Sequence, residues 1–142
     1  MKNVLVTGGA GYIGSHACKL LAKHGYIPVT FDSLVTGWAR AVKFGPFMQG
    51  DLLDREALDA VFSKYEPVAV LHFAALSQVG EATRTPGRYW RNNVLGSLNL
   101  CEAMVAAGCK HMVFSSTCAI YGDQDNVVLD EQSAQLPLNA YG

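Results

Sequence analysis

Residues 7–14 read TGGAGYIG and continue a short apolar run that begins at Asn3 and is predicted to be a buried strand. Gly8, Gly11 and Gly14 have the spacing G-x-x-G-x-x-G, and an overlapping G-x-G-x-x-G is also present. In a strand-to-helix turn, one such glycine permits the sharp bend, one lets the backbone approach a pyrophosphate, and one lets the helix pack on the sheet. The first N–H groups of the helix then favour an anion. The stretch predicts a dinucleotide-binding turn, with a plain tight turn as the alternative.

An acidic residue follows at the distance expected for a ribose-binding carboxylate. Asp32 ends the apolar run that starts at Ile27, 18 residues after Gly14. A carboxylate about 20 residues beyond the glycines accepts hydrogen bonds from an adenosine ribose. Because it would repel a 2′-phosphate, Asp32 favours NAD over NADP as the cofactor. The alternative for Asp32 is an exposed loop aspartate.

The rest of the chain alternates short apolar runs with helical patterns. The predicted strands are 3–7, 27–32, 47–50, 68–73 and 111–115, and the predicted helices are 12–24, one from the N-cap Asp54 to just before Pro67, and 88–107. Residues 77–87 are interpreted as a polar connection, and residues 117–142 as a polar segment rich in turns. Alternating strands and helices with short connections predict an α/β fold, with a doubly wound (Rossmann-type), mostly parallel sheet. All 142 residues are assigned to this one domain.

Composition excludes several other classes of protein. Half of the residues are hydrophobic and 16% are charged, so there is enough apolar surface to drive folding. The formal net charge is −1 and no basic stripe is present, which argues against nucleic acid or a membrane surface as a partner. The longest mainly apolar stretch, Val68 to Leu76, is far shorter than the ~18–20 residues that cross a bilayer.

The positions of the cysteines and histidines predict a protein of a reducing compartment that has no metal site. The four cysteines form no C-x-x-C pair, and the four histidines lack metal-ligand spacing. We expect reduced, buried thiols in a cytoplasmic protein. No signal peptide is recognisable after the N-terminal Met1.

Six stretches occur in the order seen in the extended short-chain dehydrogenases/reductases, and the chain resembles that family over its whole length. These are 7–14, 50–54 (GDLLD), 72–75 (HFAA), 92–93 (NN), 113–117 (VFSST) and 121–123 (YGD). Within the family, the chain is most similar to the UDP-hexose 4-epimerases. The resemblance implies a bound NAD and a UDP-hexose substrate, with UDP-glucose and UDP-galactose interconverted by transient oxidation at C4.

The resemblance also assigns roles to residues that spacing leaves undecided. It implies cofactor contacts at Gly8, Gly11, Tyr12, Ile13, Gly14, Asp32, Asp51, Leu52, Phe73, Ala74, Ala75, Asn93 and Ser115. Asp51 and Leu52 would border the adenine, and Phe73 to Ala75 would lie beside the pyrophosphate and the nicotinamide ribose. Taken alone, Asp51 is equally well a loop acid, residues 73–75 are equally well core, and Asn93 is equally well on a helix surface.

Two further residues are implied to be catalytic. Thr117 matches the hydroxyl residue that hydrogen-bonds the sugar 4-oxygen, and Tyr141 matches the tyrosine of a Tyr-x-x-x-Lys motif. In the implied reaction, a tyrosinate removes the proton of the 4-hydroxyl while hydride passes from C4 to the nicotinamide. The 4-keto sugar then turns over and takes the hydride back on its other face.

Departures from the family pattern refine these expectations. Ser77 stands where such epimerases often have a lysine, and Cys118 and Ala119 follow Thr117 where dehydratases carry an acid, which favours epimerisation. The lysine that partners Tyr141 would fall at position 145, beyond the last residue. We therefore expect this chain to correspond to the N-terminal part of such an enzyme, without its last strands and substrate domain, to be inactive alone and to bind NAD more weakly.

Other functions and a self-association surface follow from the same residues. Another NAD-dependent sugar-nucleotide epimerase, dehydratase or reductase, and a non-catalytic dinucleotide-binding module, are the alternatives. The predicted helix 88–107 carries apolar residues on more than one face, namely Tyr89, Trp90, Val94, Leu95, Leu98, Leu100, Met104 and Val105. Because such a helix must be covered on more than its sheet side, we expect self-association, as a homodimer in the complete enzyme.

Overall fold

Five parallel strands form a single sheet in the computed structural model, which describes residues 1–124 and 128–142. The strands are β1 (Asn3–Thr7), β2 (Ile27–Asp32), β3 (Phe47–Gln49), β4 (Ala69–His72) and β5 (Met112–Phe114). Their order is β3-β2-β1-β4-β5, so the chain reverses direction across the sheet after β3. Thr7 pairs with both Phe31 and His72, which brings three carboxyl ends to one edge. A crevice for a ligand is expected at this switch point.

Helices cover both faces of the sheet. They are α1 (Tyr12–Lys23), α2 (Arg55–Tyr65), α3 (Val79–Arg84), α4 (Pro86–Tyr89) and α5 (Gly96–Ala106), with a π-helical stretch (Trp90–Leu95) between α4 and α5. Short 3₁₀ turns span Ala39–Ala41 and Cys118–Tyr121. The predicted doubly wound, parallel α/β fold is confirmed.

Local chemistry explains why these elements form. Asp54 caps α2 as predicted, and its carboxylate accepts a hydrogen bond from the backbone N–H of Ala57 at 3.0 Å. Leu58, Val61 and Phe62 lie on one face of α2 and pack in the core. The same core contains Leu5, Val29, Phe31 and Val70 of the sheet and Leu100, Ala103 and Met104 of α5. Burial on both faces accounts for the nearly continuous apolar sequences of the central strands.

Two sequence-based expectations were wrong. Residues 77–87 are not simply a polar connection, because α3 and the first turn of α4 lie there. Pro86 at the start of α4 suits the first turn of a helix, and the Tyr89 hydroxyl accepts a hydrogen bond from the backbone N–H of Gln78.

The expectation that the thiols are buried was also wrong in part. All four cysteines are free, but Cys101, on the outer face of α5, and Cys118, in a surface turn, are exposed.

Apolar side chains remain exposed along one side of the molecule, as the helical pattern indicated. Trp90, Leu98 and Val105 are exposed, Val105 by 80%, whereas Tyr89, Leu100 and Met104 are buried. The predicted apolar helix therefore has two apolar faces, one on the core and one on the surface. Among residues 1–124 and 128–142, no helix combines the length and the hydropathy needed to cross a membrane.

Candidate dinucleotide-binding cleft

A cleft of about 840 Å³ opens at the carboxyl ends of the strands. It lies at the switch point between β1 and β4. The predicted site residues that line it are Gly8, Gly11, Tyr12, Ile13, Gly14, Asp32, Asp51, Leu52, Phe73, Ala74, Ala75, Ser115, Thr117 and Tyr141. Asn93 is the predicted site residue that does not line it. Residues far apart in the sequence are thus brought to one concave surface.

The glycine turn is held by main-chain contacts on both sides. Gly8 has a φ of +72°, in the left-handed region that favours glycine, and its N–H donates to the Phe31 carbonyl at 2.9 Å. A Cβ at this position would stand 2.7 Å from the backbone nitrogen of Ala74. The turn is therefore in direct contact with β2 on one side and with the segment after β4 on the other.

The start of α1 has the shape and the free donors that a phosphate group requires. A Cβ on Gly14 would stand 2.8 Å from Gly9 Cα, so the helix begins in close contact with the turn. Gly11 lines the cleft, and the nearest atom to a Cβ on Gly11, its chain neighbours aside, would be the Gly8 oxygen at 3.2 Å. No side chain caps α1, and the first N–H groups of a helix have no partners within it. The residues present therefore fit a pyrophosphate.

Asp32 lies at the end of β2 with 8% of its surface exposed. Its carboxylate accepts hydrogen bonds from the backbone N–H of Ala10 at 3.0 Å and of Leu34 at 2.8 Å. Since an ionised carboxylate offers about four lone-pair sites, each oxygen can accept a further hydrogen bond. Asp32 therefore joins the glycine turn to the loop after β2 and still presents acceptors to ribose hydroxyls.

His72 forms a buried polar link below the cleft that sequence analysis did not single out. Its Nδ1 lies 2.6 Å from the Thr7 hydroxyl, its Nε2 lies 2.8 Å from the Ser97 hydroxyl, and Ser97 donates to the Asn93 carbonyl at 2.5 Å. Because the Ser97 hydrogen is used there, Nε2 donates to Ser97 and Nδ1 accepts from Thr7. Burial lowers the pKa of His72 to about 4. The sequence signal that could have indicated this role is that His72 is a polar residue in an otherwise apolar predicted strand.

Asn93 acts on the backbone that borders the cleft. Its side-chain amide donates to the carbonyl of Leu76 and its side-chain oxygen accepts from the N–H of Leu76, both at 2.9 Å. Neighbouring Asn92, in the same π-helical stretch, lines the cleft. Asn93 thus holds the end of the Phe73–Ala75 segment in place from outside.

Thr117 and Tyr141 lie at the end of the cleft formed by β4, β5 and α4. Thr117 caps the following 3₁₀ turn by accepting from the N–H of Ala119 at 3.1 Å. The ring of Tyr141 meets the ring of Tyr89 edge to face, with centroids 6.4 Å apart. Tyr89 is 1% exposed, and its hydroxyl lies 3.0 Å from Glu81 Oε2. A buried, hydrogen-bonded tyrosine therefore packs against the predicted catalytic one.

Two arginines complete the lining of the cleft, and sequence analysis missed them. Arg88 and Arg91 line the cleft, and they flank Tyr89 in the sequence, whose ring meets that of Tyr141. Arg88 forms an ion pair with Glu81. The sequence signal that could have indicated them together is their i, i+3 spacing, because this spacing places two residues on one helical face.

The sheet order, the glycine turn and the acid at the end of β2 define a doubly wound domain of the dinucleotide-binding class. Comparison with known sequences narrows the class. The chain belongs to the NAD dependent epimerase/dehydratase family, whose sequence model matches residues 4–142.

Individual relatives are similar over nearly the whole chain. UDP-glucose 4-epimerase of Rhizobium meliloti (strain 1021) is 51% identical over 140 residues, which is 99% of this chain and 43% of the relative. UDP-arabinose 4-epimerase 1 of Arabidopsis thaliana is 41% identical over 150 residues, covering 99% of this chain and 36% of the relative. The crystal structure of UDP-glucose 4-epimerase from Brucella ovis in complex with NAD superposes with a TM-score of 0.94 at 48% identity, covering 99% of this chain and 43% of that one. The chain thus spans less than half the length of these relatives.

Proposed function

We propose that residues 1–142 form one NAD(P)-binding domain, which prefers NAD and contributes to the interconversion of UDP-glucose and UDP-galactose. The observation that carries the proposal is the glycine turn joined to Asp32. A backbone surface open at Gly11 and a buried carboxylate stand in one cleft, as an adenosine diphosphate requires. The family match and the similarity to UDP-glucose 4-epimerases support the activity.

The proposed cofactor contacts follow the length of the cleft. The backbone at Gly8, Gly11 and Gly14, with Tyr12 and Ile13, would hold the pyrophosphate, and Asp32 would accept the ribose hydroxyls. Asp51 and Leu52 would border the adenine. Phe73, Ala74, Ala75 and Ser115 would line the nicotinamide half, and Asn93 would act through the backbone of Leu76.

The proposed chemistry needs a proton acceptor and a hydrogen-bonding group beside the sugar C4 position. NAD, when bound, supplies reversible hydride acceptance. Tyr141 would hold and return the proton of the 4-hydroxyl, and Thr117 would hydrogen-bond the 4-oxygen. The edge-to-face contact with Tyr89 would keep the Tyr141 ring in one orientation.

Calorimetric titration of the purified chain with NAD and NADP tests the proposed cofactor. We expect saturable NAD binding, with NADP at least about tenfold weaker, because Asp32 disfavours a 2′-phosphate. Binding of neither dinucleotide would refute the proposal, and equal binding would refute the assigned role of Asp32. The Gly87→Ala variant, altered at a helical position with open space around it, should bind as the wild type does.

The sugar is tested separately. The test uses a longer protein that contains residues 1–142 and reaches the full length of the relatives. This protein would be loaded with NAD and given UDP-galactose or UDP-arabinose. We expect the faster reaction with UDP-galactose, as the similarity to UDP-glucose 4-epimerase indicates. The second candidate, UDP-pentose epimerisation, rests on the similarity to the Arabidopsis enzyme. A faster reaction with UDP-arabinose would favour it.

We also propose self-association through the exposed apolar side of the π-helical stretch and α5. Trp90, Val94, Leu98 and Val105 expose about half or more of their surfaces there. A patch of this kind is typical of an interface. The free thiols suit a reducing compartment, and we propose the cytoplasm.

A further inference from the structure

The π-helical stretch Trp90–Leu95 contributes residues to the cleft and departs from the ordinary helical ladder. At its end, the backbone N–H of Gly96 donates to the carbonyl of Arg91, five residues earlier, whereas an α-helix pairs residues four apart. Because each turn of such a stretch holds more residues, the rotation between successive residues is smaller. Arg91 and Asn92 both line the cleft, and the next residue, Asn93, binds backbone that borders it. The wide turn therefore brings three successive residues toward the cleft.

Ser97 holds the junction between this stretch and α5. Its hydroxyl donates to the carbonyl of Asn93, four residues earlier, at 2.5 Å. In an α-helix, that carbonyl would accept from the backbone N–H of residue 97. A serine hydroxyl that bonds the carbonyl four residues earlier competes with the ladder and often bends the helix. The side chain of Ser97 therefore stabilises the end of the π-helical stretch.

The sheet fixes the direction of the Ser97 hydroxyl. His72 donates to it from Nε2 at 2.8 Å, and Nδ1 of the same ring accepts from the Thr7 hydroxyl at 2.6 Å. Thr7 is fully buried and His72 is 3% exposed, and within residues 1–124 and 128–142 no buried side-chain nitrogen or oxygen lacks a partner. A fully satisfied buried network specifies one arrangement of its groups. The contacts from β1 through β4 thus direct the hydrogen of Ser97 toward Asn93.

Asn93 carries this arrangement to the wall of the cleft. Its side-chain amide bonds both backbone groups of Leu76, the N–H and the carbonyl, at 2.9 Å each. Leu76 lines the cleft and directly follows Phe73–Ala75, the segment to which the proposed function assigns the nicotinamide half of NAD. Because both backbone groups of Leu76 are held by one side chain, a shift of Asn93 would move this wall.

We propose that Ser97 is a positioning residue for the nicotinamide half of the cofactor, on which it acts through Asn93 and Leu76. The proposal rests on the proposed function, which supplies the dinucleotide. Ser97 itself does not line the cleft, so its effect on a ligand is indirect. Loss of its hydroxyl should therefore change the contacts of the nicotinamide and leave those of the adenosine as they are.

Calorimetric titrations with NAD and with ADP separate the two halves of the ligand. ADP contains the adenosine and the pyrophosphate but no nicotinamide. We expect Ser97→Ala to weaken NAD binding about tenfold, which corresponds to the loss of about one hydrogen bond, and to weaken ADP binding by less than about twofold. Ser97→Thr, which keeps the hydroxyl, should retain most of the NAD affinity.

Two other variants provide matched comparisons. Thr83→Ala removes a hydroxyl of α3 that also donates to the carbonyl four residues earlier but does not line the cleft, so it should bind both ligands as the wild type does. Asn99→Ala removes an amide of α5 that donates to the carbonyl of Leu52, the residue proposed to border the adenine. It should weaken NAD and ADP binding alike.

A double variant tests the route through Asn93. Asn93→Ala should show the same difference between NAD and ADP, and adding Ser97→Ala to it should weaken NAD binding little further, because the two side chains act through one contact. Fully additive losses would overturn the proposed route. Since Asn93→Ala leaves the His72–Ser97 contact in place, it also provides the comparison of NAD with ADP if Ser97→Ala does not fold.

The remaining outcomes distinguish this inference from the proposed function. Equal weakening of NAD and ADP binding in Ser97→Ala would show that Ser97 only stabilises the domain, and unchanged binding of both would show that it positions nothing. Either result overturns the inference alone, since both require a wild type that binds NAD. Failure of the wild type to bind NAD would instead refute the proposed function, and this inference with it.

Discussion

The two ends of the cleft are built in different ways. At the β1–α1–β2 end, the contacts involve the main chain: Gly8 meets the backbone of Phe31 and Ala74, and the Asp32 carboxylate accepts from the backbone N–H groups of Ala10 and Leu34. At the β4–α5–β5 end, side chains make the links, through His72, Asn93 and Tyr89. The first end should therefore be intolerant of any added atom, and the second sensitive to particular side-chain groups and to protonation.

The largest effect is expected from Gly14→Ala. The new Cβ would stand 2.8 Å from Gly9 Cα and still closer to the Gly8 carbonyl oxygen, so backbone must move. We expect a loss of at least about 3 kcal/mol of unfolding free energy, together with loss of NAD binding. Chemical denaturation and NAD titration measure the two effects.

Gly87→Ala is the control for Gly14→Ala. It adds the same methyl group within α4, where, apart from its chain neighbours and the backbone of the helix itself, no atom of the described residues lies within 4 Å of the new Cβ. It should leave stability equal or raise it slightly, because alanine favours helix more than glycine does. If both variants lost the same stability, the close backbone contact at Gly14 would not be the cause.

The second effect is a dependence of stability on pH, which we expect from the end of the cleft that contains His72. The pKa of His72 in the folded protein is about 4, against 6.5 for an ordinary histidine, because of burial. The unfolded chain therefore binds the proton first as the pH falls. The neutral ring of His72 makes its full contribution to the unfolding free energy above pH 6.5. This contribution declines between pH 6.5 and pH 4, and it is absent below pH 4. The wild type should lose about 3 kcal/mol over that range from this residue.

His72→Asn removes that dependence and provides the measurement. The difference in unfolding free energy between wild type and His72→Asn should narrow by about 3 kcal/mol from pH 7 to pH 4. The exposed His24→Asn should retain the wild-type profile. A difference that stays constant with pH would show that His72 is not kept neutral by the fold.

Asp32→Asn tests the acidic end with a smaller effect. The amide retains one acceptor oxygen but presents a donor to the N–H of Ala10 or of Leu34, so one of these hydrogen bonds is lost. We expect NAD affinity to fall about tenfold to a hundredfold, with a smaller loss for NADP, since the carboxylate no longer repels the 2′-phosphate. Paired titrations with both dinucleotides measure this, and an unchanged NAD-to-NADP ratio would contradict it.

The smallest effect on stability is expected on the exposed apolar side. Leu98→Gln changes a half-exposed side chain and should alter the unfolding free energy by less than about 0.5 kcal/mol. It should nevertheless reduce self-association, because it places a polar group in the patch. Light scattering over a range of concentrations checks this, with Glu102→Gln as a control on the same helix. A wild-type chain that stays monomeric at high concentration would refute the proposed interface.

Part of the site could be predicted from short stretches of sequence. Gly8, Gly14 and Asp32 belong to one β1–α1–β2 unit, in which local backbone geometry limits the residues that fit. Arg88 and Arg91 were missed because nothing in their neighbours indicates which side of the helix faces a cleft. The π-helical stretch was also missed, since its residues have ordinary helical spacing and its register depends on contacts such as that of Asn93 with Leu76.

The sequence by itself determined the alternation of strands and helices, the glycine turn and the acid at the end of β2, because each depends on contacts between near neighbours. Tertiary structure alone decided that His72 is neutral and buried, that Asn93 holds Leu76 rather than lining the cleft, and that Tyr89 supports Tyr141. It also decided that Arg88 and Arg91 line the same cleft as Asp32 and Asp51. Burial, protonation and the lining of a cleft depend on groups that are remote in the chain, and only the folded arrangement brings those groups together.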